Sequence, residues 1–101
     1  MGSESFVLVG TERAMRETFG SACHGAGRVM SRHQAIRQFG DREVLASLAQ
    51  SGIYARVASE SVISEEAPGA YKDVASVVDV CHGAGIARKV ARLKPMGVMK
   101  G

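Results

Sequence analysis

Residues 21–32 read SACHGAGRVMSR, and residues 80–90 read VCHGAGIARKV. Cys-His-Gly-Ala-Gly therefore occurs twice in a chain of 101 residues. Three explanations compete: a structural repeat, a metal site shared by two Cys-His pairs, or one reactive histidine and a look-alike. The flanks argue against a repeat, because no matching helix and strand surround the two copies. Metal is disfavoured by spacing. An adjacent Cys and His rarely both reach one ion, and ligands are usually set as C-x2-C or H-x3-H. The question then becomes which copy carries chemistry.

Working outward from the second copy, Asp73 opens a helix whose apolar stripe is Val74, Val77, Val78 and Cys81. His82 falls in its last turn, where the helix dipole and backbone carbonyls account for it. Gly83-Ala84-Gly85 then reads as the helix stop. His82 is structural on this reading. The first copy instead follows Gly20, which ends a helix over Glu12–Phe19 capped by Thr11. Residues 21–30 form a loop, and Ser31 with Gln34 makes a capping box for a helix to about Phe39.

The rest of the chain supplies the frame. Ser5 to Val9 (SFVLV) reads as a buried strand. Asp41 caps a helix with Val44, Leu45 and Leu48 on one face and Gly52 as terminator. IYARVAS, 53–59, alternates as a half-buried strand. SESVISEEAPGAY is an irregular connection, and KVARLKPMGVMKG, broken by Pro95 and Gly97, reads as one edge strand. The order β-α-α-α-β-α-β predicts an α+β domain spanning 1–101 with no second domain.

Composition bounds the function classes. The apolar fraction of 46% favours a packed core over disorder. No apolar run reaches a membrane span, the N-terminus lacks a signal-peptide layout, and two cysteines do not make a disulfide scaffold. A cytoplasmic protein without a membrane partner is the default. Net charge is +3, with Arg88, Lys89, Arg92, Lys94 and Lys100 crowding the end and acids gathered at Glu60, Glu65, Glu66, Asp73 and Asp79. A basic tail of this kind is either a solvated face or a surface for a phosphate-rich partner such as a nucleotide or RNA.

In the first copy, Gly25 and Gly27 let backbone N–H groups approach an anion, and Arg28 can neutralise phosphate oxygens bidentately. His24 beside such a loop is a phosphate contact, a general acid or a nucleophile toward phosphorus. Cys23 is a small buried residue. The residues alone stop at a phosphate-handling loop.

SFVLVGTERAM, FGSACHGAGRVMSR, EEAPGAYKDV and VCHGAGIARKVARLKPMGVMKG, in that order, resemble the C-terminal portion of RtcB-type RNA-splicing ligases. Residues 38–62 match only loosely. The resemblance implies an enzyme that joins RNA ending in a 3′-phosphate or 2′,3′-cyclic phosphate to 5′-hydroxyl RNA, such as tRNA exon halves, using GTP and Mn2+. It places the guanylylated residue, carrying GMP covalently, on His24. It sets Gly25, Ala26 and Gly27 against the guanylate, Ser5 as a further guanylate contact, Tyr71 on the base and Lys100 on guanine. Without it, Lys100 reads as a frayed tail and Ser5 as a strand-edge hydroxyl. Arg28 is added from electrostatics as a phosphate or RNA contact.

The resemblance also puts the metal-binding cysteine, aspartate and histidines in an N-terminal part that this chain lacks, so no metal ligand is assigned here. The chain reads as a fragment, a split gene product or a frame begun late, inactive until it meets the N-terminal part or a complementary chain. Archease is a further partner on the same ground. The alternative from a different class is a stand-alone nucleotide- or RNA-binding module without catalysis.

Overall fold

The computed structural model describes all 101 residues, as five helices and four strands of mixed α+β character. They divide into two compact units. One comprises Met1–Ser3, Arg28–Tyr71 and Pro95–Gly101, and the other Glu4–Gly27 and Lys72–Lys94.

The first unit holds α2 (Arg32–Gln38), α3 (Asp41–Gln50), β2 (Tyr54–Val57), α4 (Glu60–Glu65), a 3-10 turn (Pro68–Ala70) and β4 (Gly97–Lys100). Val44 and Leu48 of α3 point inward one helical turn apart. They meet Ile53, Ile63 and Ala67, with Phe39, Ala55, Val57 and Val98 packed around them. Ile63 is fully buried, a placement worth about 1.5–3 kcal/mol for its side chain. Ser31 caps α2 by accepting the Gln34 N–H, as its spacing predicts. At the end of α3, Gly52 takes φ 74° while its N–H donates to Ala49 and that of Ile53 to Leu48. This double closure needs a left-handed residue, which glycine supplies. β2 and β4 pair in parallel, Tyr54 opposite Gly97 through Val57 opposite Lys100.

The second unit holds β1 (Ser5–Gly10), α1 (Glu12–Glu17), α5 (Val74–Gly83) and β3 (Ala87–Leu93). β1 and β3 form an antiparallel ribbon, Ser5 opposite Leu93 and Gly10 opposite Ala87, with a bulge beside Val7 and Leu8. Thr11 accepts the Ala14 N–H as cap of α1, and its hydroxyl donates to the Gly85 carbonyl. Asp73 caps α5 by accepting from the Ala75 and Ser76 N–H groups. Ala14, Val78 and Ala87 are its buried apolar residues.

Several expectations change. SFVLV is not a buried strand: Phe6 and Leu8 are half-buried while Val7 and Val9 are exposed, because a two-stranded ribbon is covered on one face only. α1 stops at Glu17, since Phe19 and Gly20 take left-handed φ of 54° and 72° in succession. Gly40, not Asp41, is the cap of α3, and the Asp41 carboxylate instead accepts the Ser64 hydroxyl. The stretch expected as an irregular connection contains α4 and the 3-10 turn. A six-residue helix is too short to show periodicity, and burial of Ile63 and Ser64 stabilises it. The C-terminal strand is two strands in different sheets, divided at Pro95.

A Cβ on Gly69 would lie 2.7 Å from the Phe39 ring. Gly69→Ala must therefore displace that ring from the core, at a cost of about 1–3 kcal/mol. Thermal or urea unfolding should show that loss, whereas Gly83→Ala, which meets no atom within 4 Å, should change stability little.

Candidate functional site

The second unit presents the two Cys-His-Gly-Ala-Gly copies in different settings. The first lies in the loop after α1, with His24 exposed and its ring free of intramolecular hydrogen bonds. Gly25 has open space around it. So does Gly27, which takes φ 77°, a conformation that side chains resist, and whose carbonyl accepts the Lys72 N–H. Gly27 turns the chain while Gly25 leaves the backbone open beside the imidazole. Ala26 between them is half-buried. The second copy closes α5. The Gly85 N–H donates to His82 and the Ile86 N–H to Cys81, with Gly85 at φ 73°. His82 is tied down: its Nδ1 accepts the Lys89 N–H at 3.1 Å, and Lys89 pairs with Asp79. Its partner is thus a strand N–H rather than the helix carbonyls expected. Identical letters give a free imidazole in one place and an occupied one in the other.

Cys23 is half-buried, and burial followed by the neighbouring Cys81 side chain pushes its thiol above the usual range. It is held as a thiol, not a thiolate. Ser5 is exposed at the first position of β1, opposite Leu93.

The first unit gathers Arg28, Tyr71 and Lys100 around a residue that the sequence did not single out, Glu66. The Tyr71 hydroxyl donates to Glu66 Oε2 at 2.6 Å, and Lys100 Nζ donates to the same oxygen at 3.3 Å. Arg28 Nη1 lies 3.7 Å from Glu66 Oε1. The Glu66 side chain is 14% exposed. Burial alone would raise its pKa, but the hydrogen bonds from Tyr71 and Lys100 and the Lys100 and Arg28 charges outweigh it and hold the carboxyl below its usual value. Burial, then the bond to Glu66, pushes the Tyr71 phenol the other way, above its ordinary value.

Arg28 is half-buried and largely committed within its own unit. Its guanidinium donates to the Met30 carbonyl at 3.0 Å, the Glu65 carbonyl at 2.7 Å and the Tyr71 hydroxyl at 2.9 Å, and lies 4.8 Å over the Tyr71 ring. Lys100 is anchored rather than frayed: it pairs with Val57, and its carbonyl accepts the Ala58 N–H at 2.9 Å. An open groove beside it is lined by Arg56, Val57, Ala58, Met99 and Gly101. The signal that could have revealed Glu66 is charge pattern, an acid pair in EEAPGAY facing a basic chain end. No three His, Cys, Asp or Glu side chains converge where they could hold a metal ion.

A carboxyl whose pKa is depressed by folding contributes stability that is present above its unfolded value and lost as pH falls through the folded one. Melting temperature should therefore drop as pH is lowered below the ordinary glutamate range. Glu66→Gln should flatten that part of the profile while costing about 1.5–3 kcal/mol at neutral pH.

Comparison with known proteins places these residues in a family. The model of "tRNA-splicing ligase RtcB" matches residues 1–101, the whole chain. The chain is 59% identical over its full length to the tRNA-splicing ligase RtcB of Thermococcus kodakarensis, of which it covers 21%. It is 58% identical to that of Pyrococcus abyssi, covering 11%, and 55% identical to that of Archaeoglobus fulgidus, covering 21%. It thus spans about a fifth or less of the relatives it matches. The chain belongs to the tRNA-splicing ligase RtcB family.

Proposed function

We propose that residues 1–101 are the guanylate-binding segment of an RNA ligase, in which His24 is the covalent nucleotide acceptor. The observation that carries the reading is the exposed, unpartnered His24 ring heading a loop whose glycines leave the backbone open, in a chain matched end to end by the ligase family. A neutral imidazole is nucleophilic near pH 7 and becomes a good leaving group once protonated. The His24 ring attacks the α-phosphorus of GTP, a P–N bond forms and pyrophosphate leaves. The 3′-phosphate of one RNA then takes the GMP from His24. The 5′-hydroxyl of the second RNA displaces GMP and closes the phosphodiester.

Ser5, Gly25, Ala26 and Gly27 are assigned to the guanylate, and Tyr71 and Lys100 to the base. Arg28, with most of its donors committed, contributes positive field to phosphate or RNA and braces Tyr71. On the family ground, Mn2+ is assigned to the part of the ligase outside residues 1–101. The segment accordingly needs that part, or a complementary chain, to ligate RNA. Phe19 at 97% exposure and Met15 at 69% supply apolar surface for such a contact. Archease and tRNA exon halves are partners on the family ground, and the cytoplasm is the assigned compartment.

Two experiments use a chimera in which residues 1–101 replace the matching stretch of the Thermococcus kodakarensis ligase. With α-labelled GTP and Mn2+, His24→Ala should abolish the acid-labile protein label, and His82→Ala should leave most of it. Label surviving His24→Ala refutes the assignment and favours a binding module. Lys100→Ala should reduce the preference for GTP over ATP by about tenfold, the scale of one hydrogen bond to a charged group. Arg28→Ala should weaken both nucleotides alike.

A further inference from the structure

Lysine is a poor reader of a base edge unless something holds it. Its four-carbon stem is rich in rotamer entropy, and a loosely held ammonium finds any nearby acceptor. Guanine offers an acceptor at O6 where adenine offers an amino group, while N7 accepts in both. An ammonium near O6 discriminates between the purines, and one drifting to N7 does not. Selectivity by Lys100 therefore depends on what fixes its Nζ.

We propose that Glu66 is the positioning residue for base selection, holding the Lys100 ammonium and the Tyr71 hydroxyl on one carboxylate oxygen so that lysine and aromatic ring act as one unit. This rests on the nucleotide reading above and adds to it a residue that the family resemblance did not mark. Both bonds fall on Oε2, at 3.3 Å from Lys100 and 2.6 Å from Tyr71, leaving Oε1 toward Arg28. Arg28 in turn lies over the Tyr71 ring and donates to its hydroxyl, so the phenol is held from two sides. The Lys100 main chain is fixed independently by its pairing in the β2–β4 ladder. Stem base and ammonium are thus pinned at opposite ends. An ammonium has three donors, so the bond to Glu66 leaves two for a base. The Lys100 side chain keeps 41% of its surface exposed, against 14% for Glu66, so the cation stays accessible while its anchor does not.

Two measurements test this. In the 101-residue chain, Tyr54 and Tyr71 are the only tyrosines and there is no tryptophan, so phenol ionisation is read directly by ultraviolet titration. Tyr54→Phe, at a position 74% exposed, leaves the Tyr71 phenol as the only signal. The Tyr71 phenol should titrate above the ordinary tyrosine value, and Glu66→Gln should lower its midpoint with far-UV circular dichroism unchanged. A Tyr71 phenol titrating at the ordinary tyrosine value with Glu66 in place overturns the cluster itself.

In the chimera, Glu66→Gln should lower the GTP-over-ATP preference by about tenfold. Glu66→Gln combined with Lys100→Ala should lower it no further than Lys100→Ala alone. A merely structural loss would weaken both nucleotides equally and leave the ratio unchanged, and that result overturns the positioning role. Fully additive losses overturn it as well. A chimera with residues 1–101 unsubstituted that shows no GTP preference overturns the nucleotide reading itself, while one that prefers GTP but is indifferent to Glu66→Gln overturns only the role of Glu66.

Discussion

A carboxylate withdrawn from water must be repaid by partners, and Glu66 has three. Burial of one charge opposite two cations and a phenol ties together segments far apart in sequence: Arg28 at the loop exit, Tyr71 after the 3-10 turn and Lys100 near the chain end. Hydrogen bonds to a charged group are about twice as strong as neutral ones, and low surrounding polarity strengthens them further. The same setting makes the cluster unforgiving. Removing any one member strands a charge or a hydroxyl in a place poor in water. The first unit, whose apolar core is only a few side chains wide, thus carries an ionic clamp beside that core.

Most of the helix architecture was written in local chemistry. Thr11, Ser31 and Asp73 all cap the helices that their types and spacing announce, and Gly52 and Gly85 close theirs in the left-handed conformation. These signals are legible because each is settled within four or five residues. What was not legible depends on partners distant in sequence. α4 has no periodicity to display in six residues and exists because Ile63 fits a core built by α3 and β2. The division of the C-terminal stretch into β3 and β4 is likewise set by where β1 and β2 lie, not by propensity around Pro95.

The candidate site divides along the same line. His24 and its glycines stand out in the sequence because paired glycines mark a loop and the histidine lies outside any helical pattern. Glu66 stands out only weakly, by charge pattern, since an acid in an acid-rich stretch reads as a solvated face until the fold brings the basic chain end to it. Arg28 was legible as a cation but not in its commitments, which come from carbonyls at Met30 and Glu65 and from Tyr71.

The paired Cys-His-Gly-Ala-Gly copies show how little a motif fixes by itself. In the second copy the glycines serve a helix end. Gly85 adopts the left-handed turn that lets two carbonyls of α5 be satisfied, and the adjoining strand then delivers the Lys89 N–H to His82. The ring nitrogen that could have been a nucleophile is consumed by backbone. In the first copy α1 has already closed at Thr18–Ser21, before the cysteine, so the glycines have no helix carbonyls to close and no strand N–H arrives at the imidazole. What separates the two rings is the absence of a competing partner at His24: an imidazole lone pair is available to an electrophile only where the fold has not already assigned it a proton to accept.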